Sequence, residues 1–215
     1  MEKACLFIVS GPSGVGKDSV VSEVQKIDAT LNRVVTCASR KARDGEKEGI
    51  NYYFRDADWF KNAIGKELIE HSIVHGNHYG ILRSEIERKS RNGAIMVIDW
   101  QGFLKIKEAF REDKNMLVYG AFILPPSIEY LRRRLESRRT DDALTIKRRL
   151  EAAEEEIKQS TRYNVSFVNQ NNRLRETAEN VWNEIDSVRT IWKSGSSSKE
   201  ELEGAWNCQK RSAAL

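Results

Sequence analysis

Three continuous apolar runs dominate the pattern of hydrophobic and polar positions along this chain. They cover residues 4–10, 94–98 and 117–124. Apolar runs of this length without polar alternation predict parallel strands that are buried on both faces. Helix-like segments separate the runs, so the strands need crossover connections over the faces of the sheet. The pattern therefore predicts an α/β fold built on a parallel sheet.

The segments between these runs predict the remaining elements of the core. Val20, Val21 and Val24 share one helical face and predict a first helix over 19–26. Later helices are predicted over 84–91, 127–137, 144–159 and 174–192, and further strands over 33–38 and 165–168. Ligands of such folds gather where the strands end at their carboxyl side.

Between about residues 35 and 82 the pattern changes to short extended pieces. This change predicts a small β-rich insertion in a core formed by residues 1–34 and 83–190. The insertion is predicted to contain strands over 51–54 and 68–74, a helix over 56–64 and a turn at Gly76-Asn77. From residue 191 to 215 the Gly, Ser and Glu content predicts a flexible C-terminal tail.

The first apolar run leads directly into the Gly-rich stretch SGPSGVGKDS at residues 10–19. Gly11, Gly16 and Lys17 fit the phosphate-loop template GxxxxGK[ST], with Asp18 in place of the final hydroxyl residue. Glycines let the backbone N–H groups converge on phosphate oxygens, and the following helix adds its positive end. A Gly-rich turn with a chance lysine is the alternative, but the strand before it and the helix after it favour a nucleotide site.

Charged side chains supply the other candidates for phosphate chemistry. Asp99 follows the run 94–98, where phosphate-loop enzymes place a residue that manages Mg²⁺ or the acceptor, although an aspartate there also caps helices. Planar guanidinium groups suit phosphoryl transfer, and the candidate arginines are Arg40, Arg43, Arg134, Arg138 and Arg149. Some of these arginines also fit solvated helix faces, since glutamates follow at helical spacing.

Composition narrows the choice of compartment and partners. The 215 residues carry a net charge of +4 with both signs mixed, which implies neither nucleic-acid binding nor membrane binding. The sequence has three cysteines, Cys5, Cys37 and Cys208, which are far apart and form no CxxC motif. Free thiols in the cytoplasm are therefore expected. No run is long enough to predict a membrane span or a signal peptide. The three histidines within 71–78 straddle a turn, and a metal site there is disfavoured against local roles.

Several ordered segments together resemble guanylate kinases over about residues 4–190. They are SGPSGVGK at 10–17, SRKARDGE at 39–46, GINYYF at 49–54, LIEHSIVHGNHYG at 68–80, IDWQG at 98–102 and ILPPS at 123–127. The resemblance implies a three-layer P-loop core, a small GMP-binding lobe at about 35–82 and a helical lid at about 137–145. It also implies transfer of the γ-phosphoryl group of ATP to GMP with Mg²⁺. For the oligomeric state, the sequence leaves a monomer and a homodimer open.

Residue roles follow from the same resemblance. The implied ATP-binding residues are Gly11, Pro12, Ser13, Gly14, Val15, Gly16, Lys17, Asp18, Ser19 and Asn169. The implied GMP-binding residues are Thr36, Arg40, Arg43, Tyr52, Glu70, Tyr79 and Asp99. The implied catalytic residues are Lys17, Asp99, Arg138 and Arg149, with Arg134 a weaker carry-over. The N–H donors at guanine N1 and N2 and the acceptor O6 independently match a carboxylate such as Glu70 paired with a hydroxyl donor, whereas adenine would set its bare N1 against the carboxylate.

Four positions depart from the family pattern: Asp18, Ile81, Val97 and Arg139. Asp18 stands where a hydroxyl residue normally ligates Mg²⁺, and either its carboxylate reaches the metal or it only caps the first helix. Ile81 replaces a hydroxyl residue that helps to bind guanine O6. The run GKDS also resembles ribose bisphosphokinases, which is the nearest rival. A non-catalytic guanylate-kinase-like module that binds proteins is a further alternative, disfavoured by the intact Lys17.

Overall fold

The structure is a computed structural model that describes residues 2–74, 76–137 and 142–204. Its strands are β1 (Ala4–Ser10), β2 (Asn32–Arg33), β3 (Thr36–Ala38), β4 (Tyr52–Phe54), β5 (Leu68–Val74), β6 (Asn77–Leu82), β7 (Ala94–Val97), β8 (Met116–Leu124) and β9 (Val165–Val168). Its helices are α1 (Lys17–Ile27), α2 (Ala57–Ala63), α3 (Arg83–Ser90), α4 (Trp100–Ala109), α5 (Ile128–Ser137), α6 (Ala143–Lys158), α7 (Leu174–Ser194) and α8 (Lys199–Gly204). No helix in these ranges has the length and apolar character that crossing a membrane requires.

A five-stranded parallel sheet forms the centre of the molecule, in the order β2-β7-β1-β8-β9. The three apolar runs are its three central strands, which confirms the predicted α/β class. Their carboxyl ends lie along one edge of the sheet, so the loop after β1, Asp99 after β7 and Asn169 after β9 all emerge there.

Helices cover both faces of this sheet, as the lack of alternation in the strands requires. Cys5, Phe7 and Val9 of β1 face a cluster that includes α1 and α7. Leu6 and Ile8 face the opposite cluster, to which α3 and α4 contribute. The core is therefore three-layered.

Residues 36–82 form a second sheet of four strands in the order β4-β3-β6-β5. The predicted single strand 33–38 is wrong, because the chain leaves the first sheet after Arg33 and enters the second at Thr36. Val34 and Val35, which connect the two sheets along the chain, are buried, and the backbone N–H of Val35 donates to Glu85 at 3.4 Å. A continuous apolar stretch thus serves two sheets, which its local pattern does not reveal.

Helices α5 and α6 pack against each other through Leu131, Leu135, Ile146 and Leu150. Asp142 caps α6 by accepting from the backbone N–H of Thr145 at 2.7 Å. The predicted lid at 137–145 falls on the connection between these helices, and residues 138–141 of it lie outside the described residues.

The segment after residue 190 differs from the predicted flexible tail over its described part. Helix α7 continues to Ser194, and α8 then packs against β8. Lys199 is 8% exposed, and its Nζ donates to the carbonyl oxygens of Phe110, Arg111 and Asp113 at 2.6, 3.1 and 2.9 Å. A buried ammonium group with three acceptors anchors a segment whose composition suggested a linker. Residues 205–215, including Cys208, lie outside the described residues.

Candidate active site

The loop after β1 has a backbone shape that only glycine permits at its first position. Gly11 has a φ of 150°, and a Cβ atom there would lie 2.3 Å from the carbonyl oxygen of Ile123. Lys17 Nζ donates to the carbonyl oxygens of Gly11 and Pro12 at 2.6 and 3.1 Å. Burial is the main cause of the lowered pKa of Lys17, with Glu156, Asp18 and Asp99 acting in the opposite direction. The loop and its lysine therefore form one compact cationic unit.

Asn169 holds the other side of this loop. It is 3% exposed, and its Nδ2 donates to the carbonyl oxygen of Val15 at 2.8 Å. Among the described residues its Oδ1 is buried without a hydrogen-bond partner. A cavity of about 260 Å³ adjoins it, lined by Gly16, Ser19, Tyr130, Arg134, Asn169, Gln170, Asn171, Asn172 and Leu174. The predicted nucleotide residues Gly16, Ser19 and Asn169 thus border one space beside the loop.

Asp99 caps α4, with Oδ1 accepting from the backbone N–H of Gly102 at 2.8 Å. The same carboxylate interacts electrostatically with Lys17, with Glu70 and with Glu156. The capping role and a position in the site, considered as alternatives from the sequence, are therefore combined in one residue. Asp99 therefore acts electrostatically on both the phosphate loop and Glu70 of the second sheet.

Glu156 on α6 is a member of the site that the sequence interpretation missed. Helical spacing predicts that Glu156, like the neighbouring glutamates, pairs with Lys147 or Arg148 on a solvated face. Burial raises the pKa of Glu156, and the charge of Lys17 opposes that shift. The signal that could have found it is its spacing of seven residues from Arg149, which places both on one helix face.

The arginines after Pro126 occupy different places. Arg134 is half-buried, and its Nη2 lies 3.5 Å from the position a Cβ would take on Gly16. Its guanidinium also lies over the Tyr130 ring at 5.8 Å. Arg149 is half-buried on α6. Arg138 and Arg139 lie outside the described residues. The position of Arg134 beside the loop makes it a stronger phosphate candidate than the sequence indicated.

In the second sheet, Arg40 is held by a network of side chains. It donates to both carboxylate oxygens of Glu46 at 2.6 and 2.7 Å, and its Cζ lies 4.8 Å from the centre of the Tyr52 ring. These bonds, together with the Arg43 backbone N–H, lower the pKa of Glu46 to about 2. The Tyr79 hydroxyl is a further partner of Arg40, and its ring lies 6.1 Å from that of Tyr52. Three of the predicted phosphate-binding residues of the insertion are thus brought together.

Arg43 and Thr36 are placed less firmly. Arg43 is exposed, and its backbone N–H donates to Glu46 Oε2 at 2.8 Å. Thr36 begins β3 and is half-buried. Both lie in the same insertion as Arg40, but over the described ranges no hydrogen bond joins either side chain to Arg40.

Glu70, the predicted base reader, lies on β5 and is 7% exposed. Lys105 Nζ on α4 approaches its Oε1 at 3.3 Å. Burial raises the pKa of Glu70 above the usual 4.5, Lys105 lowers it, and Asp99 raises it. A buried carboxylate with one cationic neighbour is thus available to accept hydrogen bonds from a base.

Asp18 and Ser19 provide exposed oxygen donors at the start of α1. The side chain of Asp18 is 77% exposed and accepts from Arg33 Nη2 at 3.4 Å, while α1 has no side-chain cap hydrogen bond. The described residues contain no group of three or more His, Cys, Asp or Glu side chains placed to hold a metal. A carboxylate and a hydroxyl nevertheless fit Mg²⁺ that arrives with phosphate oxygens and waters as its other ligands.

Two histidines and two cysteines of the described ranges have local roles. His71 Nε2 and His78 Nδ1 lie 2.8 Å apart, and both rings pack on Phe60. Cys5 and Cys37 are buried free thiols whose pKa burial raises to about 11. His75 lies outside the described residues. These groups contribute packing rather than reactive chemistry.

Comparison with known proteins identifies the family of the chain that forms this site. The family model for guanylate kinase matches residues 3–188. The chain belongs to the guanylate kinase family. A guanylate kinase of Anaplasma phagocytophilum is 40% identical over 182 residues, which are 83% of this chain and 84% of the relative. A guanylate kinase of Coxiella burnetii is 39% identical over 175 residues, covering 80% of this chain and 82% of that protein.

A solved structure supports the same assignment at the level of the fold. The crystal structure of guanylate kinase from Anaplasma phagocytophilum has a TM-score of 0.67 and 32% sequence identity to this chain. The match covers 90% of this chain and 92% of that one. The phosphate loop and the second sheet described above therefore belong to the region shared with a guanylate kinase.

Proposed function

We propose that this protein phosphorylates GMP to GDP with ATP as the donor. The observation that carries the proposal is the position of Asp99: it emerges at the same sheet edge as the phosphate loop, and it caps α4, whose Lys105 contacts the buried Glu70 of the second sheet. A donor phosphate on the loop and a base on Glu70 would then face a common space. Membership of the guanylate kinase family supports this choice of substrates.

The donor is expected to bind along the loop. Backbone N–H groups of residues 11–16 and the start of α1 would receive the phosphates, while Lys17 and Arg134 would neutralise their charge. The unpartnered acceptor Oδ1 of Asn169 and the adjoining cavity suit the amino group of adenine. Arg149, and Arg138 from the proposed lid, would complete the cationic surround of the transferred group.

The acceptor is expected to lie on the second sheet. Arg40, Arg43, Tyr52 and Tyr79 would hold the phosphate of GMP, and Glu70 with Thr36 would read the guanine. Glu46 keeps Arg40 in place through two parallel hydrogen bonds, so the guanidinium plane is oriented before the phosphate arrives. The N–H groups of Arg40 that do not face Glu46 would bind the phosphate. We expect residues 36–82 to move as a lobe that closes over the core and excludes water.

The chemistry needs no general base. The acceptor phosphate has a second pKa of about 6 and is largely ionised at pH 7. The protein therefore has to align two anionic groups and neutralise their charge. Asp18 and Ser19 are the residues proposed to hold Mg²⁺, which when bound would neutralise charge on the β and γ phosphates of ATP.

The buried free thiols Cys5 and Cys37 are consistent with the reducing cytoplasm that we propose as the site of action. A monomer or a homodimer is expected.

A coupled assay of acceptor use tests the proposed function. The purified protein is given ATP and Mg²⁺ with GMP, dGMP, AMP or ribose 1,5-bisphosphate, and ADP formation is followed. We expect kcat/KM to be highest for GMP and at least ~10³-fold lower for AMP, since AMP leaves Glu70 facing a bare acceptor. Preferential turnover of ribose 1,5-bisphosphate would favour the bisphosphokinase alternative, and absence of any turnover would favour a binding module.

A further inference from the structure

Lys105 is the cation that touches the proposed base pocket. It lies on α4, which packs against β5. Its Nζ is 3.3 Å from Glu70 Oε1 and 3.3 Å from the carbonyl oxygen of His71. The Lys105 side chain is 54% exposed, whereas that of Glu70 is 7% exposed. The ammonium group therefore stands at the rim of a buried carboxylate, with solvent access on its other side.

The guanine edge requires a hydrogen-bond donor for O6, which the Glu70 carboxylate does not provide. N1–H and N2–H are donors that an ionised carboxylate accepts, but O6 beside N1 is an acceptor that needs a donor. Ile81, the register partner of Glu70 on β6, is apolar and offers no donor. An ammonium group has three N–H donors, and among the described residues two of those of Lys105 are directed to Glu70 and His71. A donor is thus available next to the carboxylate.

We propose that Lys105 is a specificity-determining residue, whose ammonium group donates to guanine O6 while the Glu70 carboxylate accepts from N1–H and N2–H. This inference rests on GMP being the acceptor. O6 adjoins N1, so a base whose N1–H faces the oxygen that Lys105 contacts, Glu70 Oε1, would place O6 on the side of the ammonium group. The hydrogen bond to O6 would be charge-assisted. AMP has an amino group in place of O6, so two hydrogen-bond donors, this amino group and the Lys105 ammonium group, would face each other.

Lys105 has a second effect through the ionisation of Glu70. Burial and the charge of Asp99 raise the pKa of Glu70, and Lys105 opposes them. The imidazole of His71 also interacts electrostatically with Lys105, and it lies 2.8 Å from that of His78. A protonated Glu70 would offer one donor and one acceptor, which matches adenine rather than guanine. By opposing the rise in the pKa of Glu70, Lys105 favours the ionised carboxylate, which is the form that accepts both N–H groups of guanine.

The test combines changes in the protein with a change at one ligand atom. Steady-state kinetics are measured with GMP and with 6-thio-GMP, in which the poorer acceptor sulfur replaces O6. For Lys105→Met we expect KM for GMP to rise about 10- to 100-fold with kcat within about 3-fold. The preference for GMP over 6-thio-GMP should shrink by about 10-fold. Lys105→Gln, which keeps a neutral donor, should restore most of that preference.

Lys107→Met on the same helix is the matched control, because its Nζ lies 5.9 Å from the Phe103 ring instead of near Glu70. It should keep the parent's KM and its preference. The proposal for Lys105 is overturned if Lys105→Met leaves the preference between the two nucleotides unchanged, or if Thr36→Val is the variant that removes it. These two outcomes count against the Lys105 proposal only where the parent protein phosphorylates GMP efficiently. A parent that does not prefer GMP over AMP would instead contradict the proposed function.

Discussion

The two sheets of this protein position their functional groups in different ways. In the five-stranded sheet β1 and β8 are buried over nearly their whole length, and the phosphate loop is shaped by backbone contacts such as that of Gly11 with Ile123. In the four-stranded sheet β4 is half-buried throughout, and the apolar cluster consists of Cys37, Phe60, Ala63 and Leu68. Two of its functional side chains, Arg40 and Glu70, are held by partners of opposite charge. Substitutions that change side-chain shape should therefore affect the five-stranded core most, and substitutions that change charge should affect the insertion most.

Removal of the loop cation should produce the largest change in activity. Lys17→Met keeps the length of the side chain but loses the charge that would contact the β and γ phosphates. We expect kcat to fall by about 10³-fold with a native circular dichroism spectrum, because preorganised charge at a transferred group is worth several kcal/mol. Lys26→Met on the exposed side of α1 is the control and should retain activity. A Lys17→Met protein with near-parental kcat would place the phosphates elsewhere.

Neutralisation of Glu70 should change substrate choice more than rate. Glu70→Gln replaces one acceptor oxygen by an NH₂ donor, which opposes the N–H groups of guanine. We expect the ratio of kcat/KM for GMP to that for AMP to fall by about 10²-fold. Glu67→Gln, an exposed neighbour just before β5, should leave the ratio as it was. An unchanged ratio in Glu70→Gln would remove Glu70 from base recognition.

Truncation of one buried side chain in each region tests whether the two sheets unfold together. Leu117→Ala in β8 and Phe60→Ala in α2 each remove a fully buried side chain. We expect Leu117→Ala to lower the global free energy of unfolding by about 2–5 kcal/mol. Phe60→Ala should mainly lower hydrogen-exchange protection within 36–82 and raise KM for GMP. Equal loss of protection in both regions would show one cooperative unit.

The pH dependence of GMP use should reveal the buried carboxylate. Burial raises the pKa of Glu70 above 4.5, and only the ionised form accepts two N–H groups. KM for GMP should therefore rise as pH falls through this raised pKa, by up to about 10-fold per unit. The phosphate of GMP, whose second pKa is about 6, also titrates in this range. Glu70→Gln is the control, because its pH profile retains the titration of the phosphate and lacks that of the carboxyl group. Identical profiles for the two proteins would contradict the assignment.

Local sequence patterns predicted most of the core because its strands are long and uniformly apolar. They failed where a residue's environment comes from distant parts of the chain. The stretch 33–38 reads as one strand, yet the partners of its two halves are β7 and β6. The composition of segment 199–204 predicts a linker, yet Lys199 Nζ donates to three backbone carbonyl oxygens of the loop after α4. Glu156 reads as one of several helix-surface glutamates, although α6 places it near Lys17.

By itself the sequence determined the phosphate loop, because the spacing of Gly11, Gly16 and Lys17 between a strand and a helix is a local property. It also indicated the family, through an ordered set of short segments. Only the tertiary structure decided which charges meet: Lys17 with Asp99 and Glu156, and Glu70 with Lys105. These residues come from separate elements, and their contacts depend on how two sheets pack against α4 and α6. Electrostatic interactions depend on such distances and on burial, neither of which is encoded locally.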